Sequence, residues 1–229
     1  MRLSISLIFL ALLAPQCLLA EEAGKIAAIE GNAFYHPGSQ PRGEPITGTG
    51  RQVEVGDMIR TKHQASAGVI LIDGSKVAID EQSSAIFRLQ NAIDVDSGTV
   101  VVDIKKRGGL SGFQIKTKTA VIGVKGTQFV VAADDKNLSV YTREGTVSVE
   151  SIKGEFKQYK RKVMDEFAAF KKQMQDGFEQ FKAEQQREFV GFVKSIDVKA
   201  GKMISISGED LEEADVSKEL ENKFDLLNF

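Results

Sequence analysis

Alternating apolar and polar residues, separated by short turns, fill the first two thirds of the chain. Three pairs of such runs are clear, over residues 69–79, 93–102 and 138–149, and each pair is joined by a turn that contains glycine. β-Branched residues in alternation around Asp-Gly, Ser-Gly or Glu-Gly turns are typical of β-hairpins. The pattern therefore predicts a mainly β domain over residues 24–152.

Glycine followed by serine or threonine opens a strand four times in this region. These four corners are Gly74, Gly98, Gly126 and Gly145. Glycine adopts positive φ without steric cost, so each pair can reverse the chain tightly. Recurring corners predict stacked short strands, and a roll, a solenoid and a sandwich all fit the spacing.

The pattern changes after residue 153 to an 11-residue repeat of aromatic pairs. The eight positions are Phe156, Tyr159, Phe167, Phe170, Phe178, Phe181, Phe189 and Phe192. A period of 11 corresponds to about 3.67 residues per turn, which is close to the 3.6 of an α-helix. We therefore expect one long amphipathic helix over residues 154–194, about 60 Å in length.

Three partners could cover the aromatic stripe of this helix. It could pack on its own β domain, pair with a second copy of the chain, or lie on a lipid surface, where lysines at 157, 160, 171 and 182 would flank it. A compact β domain of this size is about 35 to 40 Å across, so a helix of that length would overhang it. We therefore expect the eight aromatic residues to bind an envelope protein or a second copy.

The remaining residues divide into two segments. Residues 195–208 alternate around Gly201 and predict a C-terminal hairpin that returns to the β domain. Residues 209–229 form an acidic tail in which Leu220, Phe224 and Leu227 stand at helical spacing.

The first 20 residues are typical of a secretory signal peptide. Arg2 precedes an apolar run over residues 3–14, and Ala20 ends the segment before two glutamates. We expect cleavage after Ala20 and a periplasmic protein, with an uncleaved anchor as the alternative. Cys17 is the only cysteine, so cleavage would leave neither disulfides nor thiolate metal ligands.

Composition and motifs indicate binding rather than catalysis. The net charge of −2 argues against a nucleic-acid partner. His36 and His63 are not at metal-ligand spacing, and no cofactor motif is present, so we expect no metal, no cofactor and no enzyme activity. Asp73 and Asp80 could form an acid–base pair, but Asp73 precedes Gly74 in a predicted turn.

The stretch from Thr117 to Val131 resembles the signature of the FecR domain, whose family pattern reads T-x-x-A-x-x-x-V-[KR]-G-T-x-F. Three further motifs in the same order strengthen the resemblance. Gly56-Asp57-Met58-Ile59-Arg60-Thr61 is similar to the family's G-D-x-I-x-T, Asp73-Gly74-Ser75 to its D-G-S turn, and residues 89–101 to its L-x-x-G-x-V region.

We expect the signature residues to hold the fold together rather than a ligand. They are Gly56, Asp57, Asp73, Gly74, Thr119, Gly123, Gly126, Thr127 and Phe129. Glycines would permit turns, the Thr127 hydroxyl would satisfy nearby backbone, and Phe129 would anchor the core.

The resemblance implies an envelope module that regulates iron uptake, in which named members add a cytoplasmic anti-sigma segment and a membrane span. We expect this chain to be a stand-alone exported version that binds a protein. A carbohydrate- or cell-wall-binding module is the alternative, with Tyr35, Phe87, Phe113 and Tyr141 as its candidate aromatics.

Overall fold

A computed structural model describes residues 21–105, 112–161 and 187–229, and it confirms the prediction of a mainly β fold. The strands of these ranges are β1 (Glu22–Glu30), β2 (Ala33–His36), β3 (Glu44–Pro45), β4 (Gln52–Glu54), β5 (Met58–Thr61), β6 (Ser66–Leu71), β7 (Lys76–Ile79), β8 (Ser84–Leu89), β9 (Ala92–Asp103), β10 (Phe113–Lys116), β11 (Ala120–Val124), β12 (Gln128–Ala133), β13 (Asn137–Glu144), β14 (Thr146–Ser151), β15 (Phe156–Arg161), β16 (Arg187–Val193), β17 (Ser195–Lys199), β18 (Lys202–Ser207) and β19 (Asp210–Ala214). The helical elements are α1 (Lys218–Asn222) and the 3-10 helices Pro37–Ser39 and Lys223–Leu227.

The strands form two layers that share β9. The first layer has the order β4-β1-β6-β7-β9-β12-β13-β18-β19-β15-β16. The second has the order β3-β2-β5-β8-β9-β10-β11-β14-β17. Residues 98–103 of β9 pair with β12 in the first layer, whereas residues 92–94 pair with β10 in the second.

One hydrophobic core lies between the two layers. A row of paired, fully buried side chains crosses five strands of the first layer: Ile26, Val69, Val77, Val102 and Phe129. A second row crosses four strands of the second layer: Ile93, Ile115, Ile122 and Val149. Alternation places every second residue on the core face, so these β-branched runs form strands because both rows meet across one core.

The four predicted glycine corners are confirmed. Gly74, Gly98, Gly126 and Gly145 have φ values of +77°, +97°, +64° and +85°. Gly74 turns β6 into β7 within the first layer, and the other three lie where the chain passes from one layer to the other. An ideal Cβ on Gly145 would lie 2.5 Å from Thr127 Cγ2, so two of these corners pack against each other.

The C-terminal segment covers part of the outer face of the first layer. Ser217 caps α1 by accepting a hydrogen bond from the Leu220 amide at 3.1 Å. Phe224 and Leu227 then pack on an outer apolar row of four residues, Ala78, Val101, Val130 and Tyr141. No helix in the described ranges is both long enough and apolar enough to cross a membrane.

The prediction of one long helix over residues 154–194 is wrong at both ends of that range. Phe156–Arg161 and Arg187–Val193 are the strands β15 and β16, which pair antiparallel. The edge of β19 gives β15 a parallel partner, and Phe156 becomes buried in the core with 2% of its surface exposed. Burial of a phenylalanine contributes about 1.5 to 3 kcal/mol, which outweighs a weak helical preference. Residues 162–186 lie outside the described ranges.

Replacement of Gly98 by alanine should destabilise the fold. An ideal Cβ at this position lies 2.2 Å from Ser83 Oγ and 2.4 Å from Ser83 Cα, on a backbone with φ of +97°. We expect Gly98→Ala to lower the free energy of unfolding by at least about 2 kcal/mol in urea denaturation. Gly123→Ala is the matched control, because its Cβ meets no atom within 4 Å and its φ is not positive. Equal losses in both variants would contradict this explanation.

Replacement of Thr142 by valine should stabilise the fold. Its hydroxyl is buried and has no hydrogen-bond partner among the described residues. We expect Thr142→Val to raise the free energy of unfolding by about 1 kcal/mol, because an unsatisfied polar group leaves the core. Thr61→Val should lower the free energy of unfolding, because the Thr61 hydroxyl donates a hydrogen bond to the Asp80 carbonyl and accepts one from the Ser83 amide. A loss of stability in both variants would show that the Thr142 hydroxyl is satisfied.

Candidate functional site

Asp57, one of the signature residues, is a buried junction between β2, β4 and β5. Its Oδ1 accepts a hydrogen bond from the Gly38 amide at 2.8 Å. Its Oδ2 accepts from the Glu54 amide at 2.7 Å and from the Tyr35 hydroxyl. Three donors compensate the carboxylate for its burial at 2% exposure. The residue therefore has a structural role, as expected.

Tyr35 is held between Asp57 and Arg51. The Arg51 guanidinium carbon lies 3.6 Å from the centroid of the Tyr35 ring. Burial raises the pKa of the Tyr35 phenol above its usual range, and the hydrogen bond to the Asp57 carboxylate raises it further, whereas Arg51 opposes the rise. The phenol therefore stays protonated and continues to donate to Asp57 in alkaline solution.

Thr117 holds the turn that opens the signature. Its Oγ1 donates to the Ala120 carbonyl at 3.1 Å and accepts from the Thr119 and Ala120 amides at 3.3 and 3.1 Å. Thr119, which we named as the signature threonine, is half-buried; its hydroxyl lies 3.3 Å from Thr117 Oγ1, and its carbonyl accepts a hydrogen bond from the Ile152 amide at 3.2 Å. The first threonine of the family pattern thus corresponds to Thr117.

The remaining signature residues lie around the corner between β11 and β12. Phe129 is fully buried in the core, and Gly126 has positive φ. Thr127 is also buried, but its hydroxyl bonds to no described residue, so its expected role in satisfying the backbone is wrong. Gly123 lies within β11, where nothing in the structure requires glycine.

The two aspartates considered as an acid–base pair are both used structurally. Asp73 accepts hydrogen bonds from the Ser75 amide at 2.9 Å and the Ser75 hydroxyl at 2.7 Å, which closes the turn at Gly74. Asp80 Oδ2 lies 2.6 Å from Lys223 Nζ and ties the C-terminal segment to the first layer. This hydrogen bond raises the pKa of Lys223, with burial acting against it.

The histidines also have local partners. His36 is buried and its Nδ1 lies 2.8 Å from the Gln40 carbonyl oxygen. His63 Nδ1 lies 2.9 Å from Glu81 Oε2 at the surface. Within the described ranges no group of three or more metal-ligating side chains is assembled.

The four aromatic residues proposed for carbohydrate binding are buried. Tyr35 and Tyr141 are each 5% exposed, Phe113 is 3% exposed, and Phe87 is fully buried. None of them can present a ring to a sugar in solution. A carbohydrate site on these residues is therefore ruled out.

A cleft of about 610 Å³ opens beside Thr119 and Phe156. Three lysines, at 118, 136 and 153, and three acids, at 135, 155 and 209, line it. Lys118 pairs with Asp135, and this hydrogen bond raises the pKa of the lysine. Equal numbers of positive and negative groups give the cleft no net charge with which to select an ion.

A cluster of apolar side chains lies on β15 and β16, and we call it the aromatic edge: the half-buried Tyr159 and the exposed Phe189, Val190 and Phe192. Phe189 is 50% exposed, Val190 48% and Phe192 60%. The rings of Tyr159 and Phe189 are 5.8 Å apart and those of Phe189 and Phe192 are 5.3 Å apart, both edge to face.

The aromatic edge is unusual on this surface. The described ranges contain six exposed large apolar residues, and three of them fall within residues 189–192. Single exposed apolar residues are ordinary, whereas a contiguous patch marks an interaction surface. The aromatic edge is therefore the candidate functional site.

The structure separates the eight aromatic positions that we expected to share one stripe. Phe156 lies in the core, so a role for it in partner binding is wrong. Tyr159, Phe189 and Phe192 come together at the aromatic edge. Phe167, Phe170, Phe178 and Phe181 lie outside the described residues. The sequence analysis missed Val190, although the run Phe189-Val190-Gly191-Phe192-Val193 has the β propensity of a strand.

Two lysines beside the aromatic edge are paired with acidic residues. Lys157 Nζ lies 3.1 Å from Glu209 Oε2, and this hydrogen bond raises the pKa of Lys157. Lys194 Nζ lies 3.1 Å from Glu150 Oε1. Two of the cations that could have attracted an anionic lipid surface are thus neutralised by adjacent acids.

Part of the chain matches a known family. Residues 57–148, from Asp57 to the middle of β14, match the family model described as FecR protein. This part of the chain is therefore similar to the FecR family. The matched residues end before β15 and β16, so the aromatic edge lies outside the FecR domain as the family model defines it.

Solved structures and curated proteins were also compared. Two crystal structures of a proposed anti-sigma factor from Parabacteroides distasonis ATCC 8503 are similar, with 14% and 15% identity and TM-scores of 0.47 and 0.48. The similarity covers 69% and 73% of this chain, which spans 59% and 63% of those chains. No curated protein matches the chain significantly in sequence.

The pKa of Tyr35 predicts a loss of stability in alkaline solution. Folding raises the pKa of the Tyr35 phenol. The stabilisation that this shift gives the folded state is therefore complete below the ordinary tyrosine pKa of about 10, and it declines as the pH rises above that value. We expect the free energy of unfolding to fall more between pH 9 and pH 11 in the unmodified protein than in Tyr35→Phe. Tyr141→Phe, at another buried tyrosine, is the control. Parallel pH profiles for the unmodified protein and Tyr35→Phe would contradict the prediction.

Proposed function

We propose that this protein is an exported, non-enzymatic module of a bacterial envelope signalling system, and that it binds a protein through its aromatic edge. The observation that carries the proposal is the cluster of Phe189, Val190 and Phe192, about half exposed beside Tyr159. The FecR domain supports the signalling context.

The aromatic edge has the physical properties of a contact surface. Edge-to-face packing restrains the rings before any partner arrives, which lowers the entropy lost on binding. Phenylalanine has two side-chain torsions and buries a large area, so each ring adds contact surface at small entropic cost.

A non-enzymatic role is supported by the use of the buried polar residues. Asp57 binds three donors, Asp73 closes a turn, and Asp80 holds Lys223. Catalysis needs a base or nucleophile directed towards a substrate. These carboxylates are directed towards the protein's own backbone and side chains.

Export is supported by the first 20 residues, whose charged start, apolar run and small residue at Ala20 are typical of a signal peptide. In the periplasm the module would act through contacts with other envelope proteins. A role in regulating iron uptake follows only from the resemblance to the named FecR regulators.

A glycan ligand is a second candidate at the same surface. Aromatic rings on a sheet face can stack on sugar rings, and the exposed rings of Phe189 and Phe192 are the described aromatic side chains that could do so. Binding of the purified protein to peptidoglycan, lost in Phe192→Ala, would support this candidate over a protein partner.

Photo-crosslinking in the cell tests the protein-binding proposal. A photo-reactive phenylalanine analogue replaces Phe192 in one strain and Leu89 in another, because Leu89 on β8 is exposed to a similar extent, 55% against 60%. We expect a defined protein adduct from position 192, found in the periplasmic fraction, and none from position 89. Adducts at neither position, or equally at both, would contradict the proposed contact surface.

A further inference from the structure

We propose that the aromatic edge binds a second copy of this chain, through antiparallel pairing of β16 with β16 of that copy. In this arrangement Phe189 of each copy lies opposite Phe192 of the other. The inference rests on the proposed function, since it names the partner of the same surface.

The four sheet edges of the described structure differ in their capacity to pair. β3 has two residues and includes Pro45, and β4 has three residues with only Val53 apolar. β17 carries Asp197 and Lys199. Short, charged or proline-containing edges resist pairing with another chain, whereas a long apolar edge invites it.

β16 is the longest and most apolar of the four edges, although its first two residues are Arg187 and Glu188. It has seven residues, and β15 is its only strand neighbour among the described residues. The run from Phe189 to Val193 contains neither charge nor proline. An added strand could therefore pair with the backbone groups of β16 that have no strand partner among the described residues, while apolar side chains meet across the new contact.

The face of each β16 side chain is set by its pairing with β15. Phe189 lies opposite Tyr159 and Phe192 opposite Lys157, two positions apart on β15, so both phenylalanines lie on the outer face. Val193 lies opposite the buried Phe156 and therefore faces the core side. Val190 is the extra residue of a bulge between the 158–191 and 159–189 pairs.

The requirement that outer-face side chains lie opposite one another then selects one register. With Phe189 opposite Phe192 of the second copy, the same pair occurs twice, and Glu188 faces Val193 on the core side. A shift by one residue in either direction would place Phe189 opposite Gly191 or Val193, on the wrong face. The selected register joins four phenylalanines and both copies of Tyr159 into one ladder.

The same register sets the strength of the contact. It places Arg187 opposite Lys194 of the second copy, and like charges opposite each other weaken strand pairing. Lys194 already pairs with Glu150 at 3.1 Å, which reduces this repulsion. Three apolar side chains from each copy form a contact smaller than that of a permanent dimer. We therefore expect a reversible dimer with a dissociation constant on the order of micromolar.

Sedimentation of the purified full chain tests the dimer. We expect a monomer–dimer equilibrium over about 1 to 200 µM, and an increase of about ten- to a hundredfold in the dissociation constant for Phe192→Glu. Leu89→Glu is the matched control, at an exposed apolar residue of the second layer, and should dimerise as the unmodified protein does. Phe192→Thr, which retains β propensity, provides a second variant if the glutamate variant fails to fold. A monomer at all concentrations would overturn the inference.

Disulfide crosslinking tests the register. In a Cys17→Ser background, a mixture of Phe189→Cys and Phe192→Cys proteins should form a linked dimer under mild oxidation, because opposite residues in paired strands are close enough for a disulfide. Each variant alone should crosslink several-fold less. Equal crosslinking in all three samples would overturn the proposed register.

The two levels of the proposal can fail separately. If the purified protein is a monomer but position 192 gives a defined adduct with another protein in the cell, the second copy is wrong and the contact surface stands. If no adduct forms at position 192 and the protein is a monomer, both fail.

Discussion

Two sheet layers can enclose one core only if the chain can pass between them in very little space. In this protein the passage occurs at glycines with positive φ, and the tightest is Gly98, where β9 leaves the second layer and enters the first. Ser83 lies against the missing side chain, and its hydroxyl accepts a hydrogen bond from the Thr99 amide at 2.8 Å. Gly98 and Ser83 therefore pack as one unit. The two rows of buried side chains, one in each layer, can face each other across the core only because the chain turns at this point.

The outer face of the first layer has one covered part and one exposed part. Over Ala78, Val101, Val130 and Tyr141 it is covered by the C-terminal segment, with Phe224 packed edge to face on Tyr141 at 5.9 Å. Lys76 donates to the Leu227 carbonyl at 2.9 Å, and the Phe229 ring lies where Gly68 has no side chain. Farther along the same face, beyond β19, lie the exposed rings of the aromatic edge. The protein thus covers one apolar surface with its own chain, whereas the aromatic edge is exposed in the part of the chain that the structure describes.

Much of the fold followed from local pattern. The hairpins, the four glycine corners and the FecR domain were predicted because alternation, turn residues and ordered motifs are local properties of the sequence. The sandwich-like arrangement of two layers could not be selected, because it depends on which strands pair across long separations in the chain. The structural role of Asp57 was predicted, whereas its contacts with Tyr35 and Gly38 required the fold.

The error at the aromatic repeat has a specific physical origin. Two residues three apart lie on one face of an α-helix, but on opposite faces of a regular strand. In β15, which has no extra residue, Phe156 accordingly enters the core and Tyr159 points outward. In β16 the bulge at Val190 inserts one extra residue, so Phe189 and Phe192 lie on the same face of the strand, as they would on a helix. The same spacing therefore gives a buried anchor in one strand and an exposed pair in its neighbour. The bulge that makes the repeat compatible with a strand is also what assembles the aromatic edge.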